Sequence, residues 1–90
     1  MSADGASDRQ IGVECYGVLQ QVCGGRERRV SVAGLPATVA DVLEGLARDV
    51  PDARRYLQHT ACAIGDRIVQ RDARLEAGDT LVLLPPVSGG

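Results

Sequence analysis

With 90 residues, 44% hydrophobic and 24% charged, and a net charge of −2, the chain has room for one small soluble domain and no second. All 10 basic residues are arginine, which excludes a Schiff-base lysine, a phosphate-loop lysine and an internal lysine acceptor for isopeptide bonds. The acidic balance also supplies no large basic face for non-specific nucleic-acid binding.

A domain of this size buries roughly 60–65% of the surface its unfolded chain exposes. Its only aromatic residues are the 2 tyrosines, Tyr16 and Tyr56, so the core must be aliphatic. Met1 to Asp8 has neither the basic region nor the apolar stretch of a secretory signal. No apolar run approaches the ~20 residues of a membrane span. Residues 1–10 are expected to be a flexible polar tail, and the protein to be cytoplasmic, with no membrane partner.

From Ile11 the pattern becomes regular. Ile11, Val13 and Cys15 alternate with Gly12, Glu14 and Tyr16, which predicts a strand with one buried face. Residues 18–23 suggest a short helical turn, stopped by Gly24-Gly25. Arg28 to Val32 predicts a second strand, and the short glycine-containing link between the two suggests a hairpin.

The clearest helix follows. Thr38-Val39-Ala40-Asp41 resembles a capping box, with Asp in the place of the usual Glu. Val39, Val42, Leu43, Leu46 and Val50 then form one apolar stripe, and Pro51 stops the helix. Asp52 is expected to cap a second short turn over 53–57. A hairpin is predicted from residues 61–64, a Gly65-Asp66 turn and Ile68-Val69. A turn at Gly78-Asp79 leads into Thr80 to Leu84, the most apolar segment of the chain.

This order predicts an α+β fold: a mixed sheet of about five strands, one main helix across one face, and an extended C-terminal tail. It is the order of a β-grasp, ubiquitin-like roll. The division expected is a folded domain over 11–84 and a tail over 85–90.

Catalytic candidates are few. His59 is the lone histidine, with no Ser or Cys beside it in sequence, and reads as a solvated loop residue. Asp41, Glu44 and Asp49 read as the solvated side of the helix. Gly24-Gly25-Arg26 lacks the spacing and the Lys-Ser/Thr of a phosphate loop. Cys15, Cys23 and Cys62 are odd in number and contain no C-x-x-C pair, neither a disulfide framework nor a metal-ligand set. They read as small buried hydrophobes.

The end of the chain carries the chemistry. Pro85-Pro86-Val87-Ser88-Gly89-Gly90 follows the apolar strand directly, and nothing from Thr80 onward has a charged side chain. Two prolines cannot donate to a sheet ladder, so the strand must end there in a stiff, extended exit. Six residues at about 3.3–3.6 Å each reach at most ~20 Å. Gly89 and Gly90 have no Cβ, so the tip fits a narrow channel. The carboxylate of Gly90 is then the accessible reactive group. On the last strand Leu81 and Leu83 point one way, Val82 and Leu84 the other. With Tyr16 on the outer face beside Glu14, the set Tyr16, Val82 and Leu84 predicts an exposed apolar patch for a protein partner.

The terminal Leu84-Pro85-Pro86-Val87-Ser88-Gly89-Gly90 closely resembles the tail of the molybdopterin synthase small subunits, the MoaD branch of the ubiquitin-like sulfur carriers. Val13-Glu14-Cys15-Tyr16-Gly17, Gly65-Asp66-Arg67-Ile68-Val69 and Leu75-Glu76-Ala77-Gly78-Asp79-Thr80 look like the same family, so the resemblance covers residues 11–90.

It implies a sulfur-donating co-substrate with no catalytic residues, metal or permanently bound cofactor of its own. An E1-like adenylyltransferase would consume ATP in trans to adenylate Gly90, and a sulfurtransferase donor would turn the acyl-adenylate into a thiocarboxylate. Pro85, Pro86, Val87, Ser88 and Gly89 would then insert into the large subunit of a heterotetrameric synthase. There the sulfur would go to cyclic pyranopterin monophosphate, building the molybdopterin dithiolene. The family often carries phenylalanine on the first strand and just before Pro-Pro, where this chain has Tyr16 and Leu84. Three other readings stand beside this one: a carrier for thiazole or cysteine biosynthesis, a ubiquitin-like modifier joined to protein lysines through Gly90, and a non-reactive binding module.

Overall fold

In the computed structural model, which describes residues 9–86, the first alternating segment is β1 (Gln10–Cys15), with Ile11, Val13 and Cys15 all fully or almost fully buried. It pairs antiparallel with β2 (Glu27–Ser31). Pairing begins one residue earlier than the alternation predicts, and the Arg9 carbonyl accepts from Val32 N–H. The link between the strands is longer than a simple hairpin turn because it carries α1 (Val18–Val22). Gly25 N–H reaches the Gln20 carbonyl and Gly24 N–H that of Gln21. This helix end puts Gly24 at φ 82, which glycine adopts without a Cβ penalty.

The main helix is α2 (Val39–Asp49), and its capping box is complete. Thr38 Oγ1 accepts from Asp41 N–H at 3.1 Å, and Asp41 Oδ2 accepts from Thr38 N–H at 3.1 Å. Val39, Val42, Leu43 and Leu46 are buried against the sheet, as the stripe requires. Gly45 lets the helix approach β2: a Cβ there would stand 2.7 Å from Val30 Cγ1 and 3.1 Å from the Ser31 carbonyl.

Pro51 ends the helix as predicted, but the following turn differs from expectation. Pro51 itself starts a 3-10 turn (Pro51–Ala53) that runs into α3 (Arg54–Leu57). Proline suits the first helical position because it has no N–H to leave unpaired. Asp52 therefore lies inside the turn and makes no side-chain cap.

β4 (Ala61–Ile64) and β5 (Arg67–Val69) form the predicted hairpin around Gly65 at φ 65. β7 (Thr80–Leu84) then enters the middle of the sheet, parallel to β1 and antiparallel to β4. The five-stranded order is β2-β1-β7-β4-β5, a mixed sheet with α2 on one face, which is the β-grasp arrangement. A separate two-stranded ladder pairs β3 (Ala37–Thr38) with β6 (Arg74–Leu75). Strands of two residues carry no alternation, so the sequence gives no sign of this pair. Burying Leu81 and Leu83 completely fixes β7 in register, because a one-residue slip would turn both to the outer face.

Candidate functional site

The root of the tail is held by the two central parallel strands. Cys15, at the end of β1, is in register with Leu83 of β7, so the residues that follow each strand emerge side by side. Tyr16-Gly17 leaves one strand and Leu84-Pro85-Pro86 the other. Gly17 adopts φ 58, and a Cβ on it would stand 3.2 Å from Pro85 Cγ. The tail therefore starts in close contact with the backbone of its neighbour.

Tyr16 and Leu84 meet at one groove of about 800 Å³, together with Gly17, Val18, Tyr56, Pro85 and Pro86. Tyr16 Oη donates to Glu14 Oε1 at 3.0 Å, and that bond to a carboxylate pushes the phenol pKa up. The Arg26 guanidinium lies over the Tyr16 ring, 5.0 Å from its centroid, and Arg55 lies at the same distance over Tyr56. Arg55 Nη2 also donates to Tyr56 Oη at 3.0 Å.

Both aromatic residues of the chain thus flank the tail, each covered by a cation. Tyr56 was not expected here. Its signal was compositional: it is the one aromatic besides Tyr16, and it sits next to arginine.

Val82 is placed differently. It shares the outer sheet face with Leu84 but does not line the groove. Register carries it across to Ala63 and on to Ile68, with Glu14 on its other side. The outer face therefore grades from acidic at β1 to apolar at β5, where Ile68 is 67% exposed. Leu84, 39% exposed, joins this face to the groove. Of the predicted set, Tyr16 and Leu84 line the groove with Tyr56, while Val82 lies outside it on the outer face of β7. Val87, Ser88, Gly89 and Gly90 lie outside the described residues, as do residues 1–8.

Nothing among the other candidates gathers into a catalytic set. His59 is exposed in the turn before β4. The three cysteines are free and buried. Burial, with Cys23 beside it, pushes the Cys15 thiol up to about 12, and burial pushes Cys62 up as well. Neutral buried thiols are poor nucleophiles. Arg71 packs beside Cys62, with Nη1 3.2 Å from Sγ, while its Nη2 donates to the Leu57 carbonyl at 2.8 Å. This joins the segment after β5 to the end of α3. Among the described residues no group of three or more His, Cys, Asp and Glu side chains could hold a metal, and no helix is long and apolar enough to cross a membrane.

Comparison with known proteins agrees with this architecture. The ThiS family model matches residues 14–90. Among solved structures, SAMP1 from Haloferax volcanii superposes with a TM-score of 0.78 at 31% identity, covering 90% of this chain and 99% of that one. The Amycolatopsis orientalis BexX/CysO complex matches at TM-score 0.68 and 24% identity, over 89% of this chain and 99% of that one.

A third match is the complex of subunits 1 and 2 of molybdopterin-converting factor from Helicobacter pylori, at TM-score 0.59 and 22% identity, over 90% and 99%. The latter two likenesses are of fold. A search of curated proteins returned no match. The family match, over residues 14–90, spans the groove, β7 and the tail, and on it the chain belongs to the ThiS family of ubiquitin-like sulfur carriers and modifiers.

Proposed function

We propose that the chain is the sulfur-carrying small subunit of a molybdopterin synthase, with Gly90 as its reacting residue. The supporting observation is the way β7 delivers the tail. A strand locked between two others by Leu81 and Leu83 passes at once into Pro85-Pro86, beside Gly17 and the two tyrosines. The fold leads into an uncharged C-terminal segment through two prolines and keeps its cysteines buried. Such a layout serves chemistry done on the tip by other proteins.

The steps follow from the chemistry of a carboxylate. It is a poor electrophile until one oxygen becomes part of a leaving group. In this reading a Gly90 carboxylate oxygen attacks the α-phosphorus of ATP on an E1-like adenylyltransferase and expels pyrophosphate. A sulfurtransferase persulfide then displaces AMP to give an acyl disulfide, and a second thiol attacks its enzyme-side sulfur, leaving the Gly90 thiocarboxylate and an enzyme disulfide. With the tail inside the large synthase subunit, that soft anionic sulfur is donated to cyclic pyranopterin monophosphate. ATP is consumed in trans and no cofactor stays on this chain. The compartment consistent with these partners is the cytoplasm.

Intact mass tests the first half. After incubation with its E1-like enzyme, ATP and a sulfur donor, the chain should gain the sulfur-for-oxygen difference, and a chain extended beyond Gly90 should not. No gain with competent partners overturns the reading. Complementation of a molybdenum-cofactor auxotroph tests the pathway, against carriers for thiazole or cysteine synthesis.

The modifier reading is favoured by one observation, the 31% identity to SAMP1. It predicts lysine-linked adducts of other proteins in cells. Chains of this protein linked through its own lysines are excluded, because all 10 of its basic residues are arginine.

A further inference from the structure

We propose that arginine in place of lysine keeps the activated Gly90 from being captured by its own chain, and that Arg26 and Arg55 are the positions where an amine would do most harm. This rests on the carrier reading, because only an activated acyl group is at risk. An acyl-adenylate is an electrophile for any amine in reach. A lysine Nζ would bond to the Gly90 carbonyl carbon while the bond from that carbon to the AMP oxygen breaks. AMP leaves with the electron pair, the amine proton passes to solvent, and the resulting amide ends sulfur transfer from that chain.

A guanidinium stays protonated and offers no such lone pair. At pH 8 about 0.4% of a lysine with its usual pKa is neutral. A short flexible tether gives an effective concentration of about 1 mM, so roughly 4 μM of free amine would face the tip. That is enough to compete with a protein donor at micromolar concentration.

The placement makes the hazard local. Tyr16 and Tyr56 line the groove at the tail root with Pro85 and Pro86. Arg26 and Arg55 lie over those rings, each 5.0 Å from a centroid. Residues 87–90 span at most ~14 Å beyond Pro86, so a tip folding back comes within reach of both. Neighbouring acids account for a positive charge at each place: Glu14 and Glu27 act on Tyr16, and Asp52 on Arg55.

They do not account for arginine throughout. Exposed Arg48, Arg67 and Arg74 form no ion pair among the described residues, and lysine would serve there equally, yet all 10 basic residues are arginine. Other nucleophiles are also quiet. Cys15, Cys23 and Cys62 are buried, and Tyr16 Oη is engaged in donating to Glu14. Exposed His59 would form an acyl-imidazole, which water returns to the carboxylate.

The test uses the full chain at ~5 μM, far below the concentration within one molecule. It is incubated with an equal amount of its E1-like adenylyltransferase and ATP, without a sulfur donor, and read by intact mass. Wild type should keep its mass. Arg26→Lys/Arg55→Lys, shown to be folded by circular dichroism, should lose the mass of one water. Fragmentation should place the new amide at a substituted position. With the donor added, its thiocarboxylate yield should fall at least about twofold.

Arg48→Lys is the distant control. Arg48 lies beside Gly45 and Ser31, and Ser31 pairs with Gln10 at the start of β1, ~17 Å along the strand from Cys15 and the tail root. It should keep its mass.

An unchanged mass in a double variant that still supports ATP–pyrophosphate exchange overturns the protection while the carrier reading stands. Equal water loss in Arg48→Lys, or any in wild type, overturns the role of Arg26 and Arg55. Arg26→Lys and Arg55→Lys are also run singly. If neither is adenylated, the arginines serve adenylation itself and the proposal falls. Failure of the wild-type chain to be adenylated overturns the carrier reading and the protection with it.

Discussion

Gly17 and Pro85 touch at the point where the tail leaves the sheet: a Cβ on Gly17 would lie 3.2 Å from Pro85 Cγ. Gly17 also sits at φ 58, ψ −136, a region that side chains rarely enter. Gly17→Ala therefore combines backbone strain with pressure on the first residue of the tail. The expected loss is about 1–3 kcal/mol of stability, measured by urea unfolding. An unchanged midpoint would show that this contact is loose.

Gly45 gives the opposite of the usual helix rule. In an exposed helix interior, Gly→Ala stabilises by roughly 0.5–1 kcal/mol. Here the added Cβ would stand 2.7 Å from Val30 Cγ1 and 3.1 Å from the Ser31 carbonyl. Val30 is fully buried and cannot swing into solvent, so α2 must lift from β2. Gly45→Ala is expected to destabilise by about 1–3 kcal/mol, the typical range for overpacking. A rise in melting temperature would refute it.

The capping box at Thr38 can be separated from the rest of α2. Thr38→Ala removes the acceptor for Asp41 N–H and should cost about 1 kcal/mol. Thr38→Ser keeps that oxygen and should recover most of the loss. Equal loss in both variants would mean that the Thr38 methyl group, within the β3–β6 ladder, matters more than the cap.

Much of this was legible from local pattern. Strict alternation at Ile11, Val13 and Cys15 reports a buried strand face whatever its neighbours are. The run Thr38 to Asp41 carries its cap within four residues. The outward placement of Val82 and Leu84 could be read, because Leu81 and Leu83 must face inward.

Tyr56 could not be read in the same way. Periodicity identifies a face but not which faces meet, and only the packing of α3 against the fold brings Tyr56 to Tyr16. Strands β3 and β6 were invisible for a related reason. Two residues make no pattern, and each strand exists because the other is beside it. The Asp52 cap failed because two helix-start signals stood next to each other, and the rigid φ of Pro51 took the position.

The buried Cys15 thiol makes stability depend on alkaline pH. Burial, with Cys23 beside it, raises its pKa from 9.0 to about 12. Above pH 9 the unfolded chain releases this proton while the folded chain retains it. The stabilisation is complete below that pH and is lost as pH rises toward the folded value. The slope approaches about 1.4 kcal/mol per pH unit for one proton held in the fold.

Urea unfolding under reductant at pH 8, 9 and 10 should show this decline. Cys15→Ala should be less stable at pH 8, since it leaves a gap in the core, but its stability should fall less steeply. The difference in slope between the two proteins removes the contributions of tyrosine and of Cys62, whose thiol is also raised by burial. Parallel curves over that range would show that Cys15 ionises as readily in the fold as outside it.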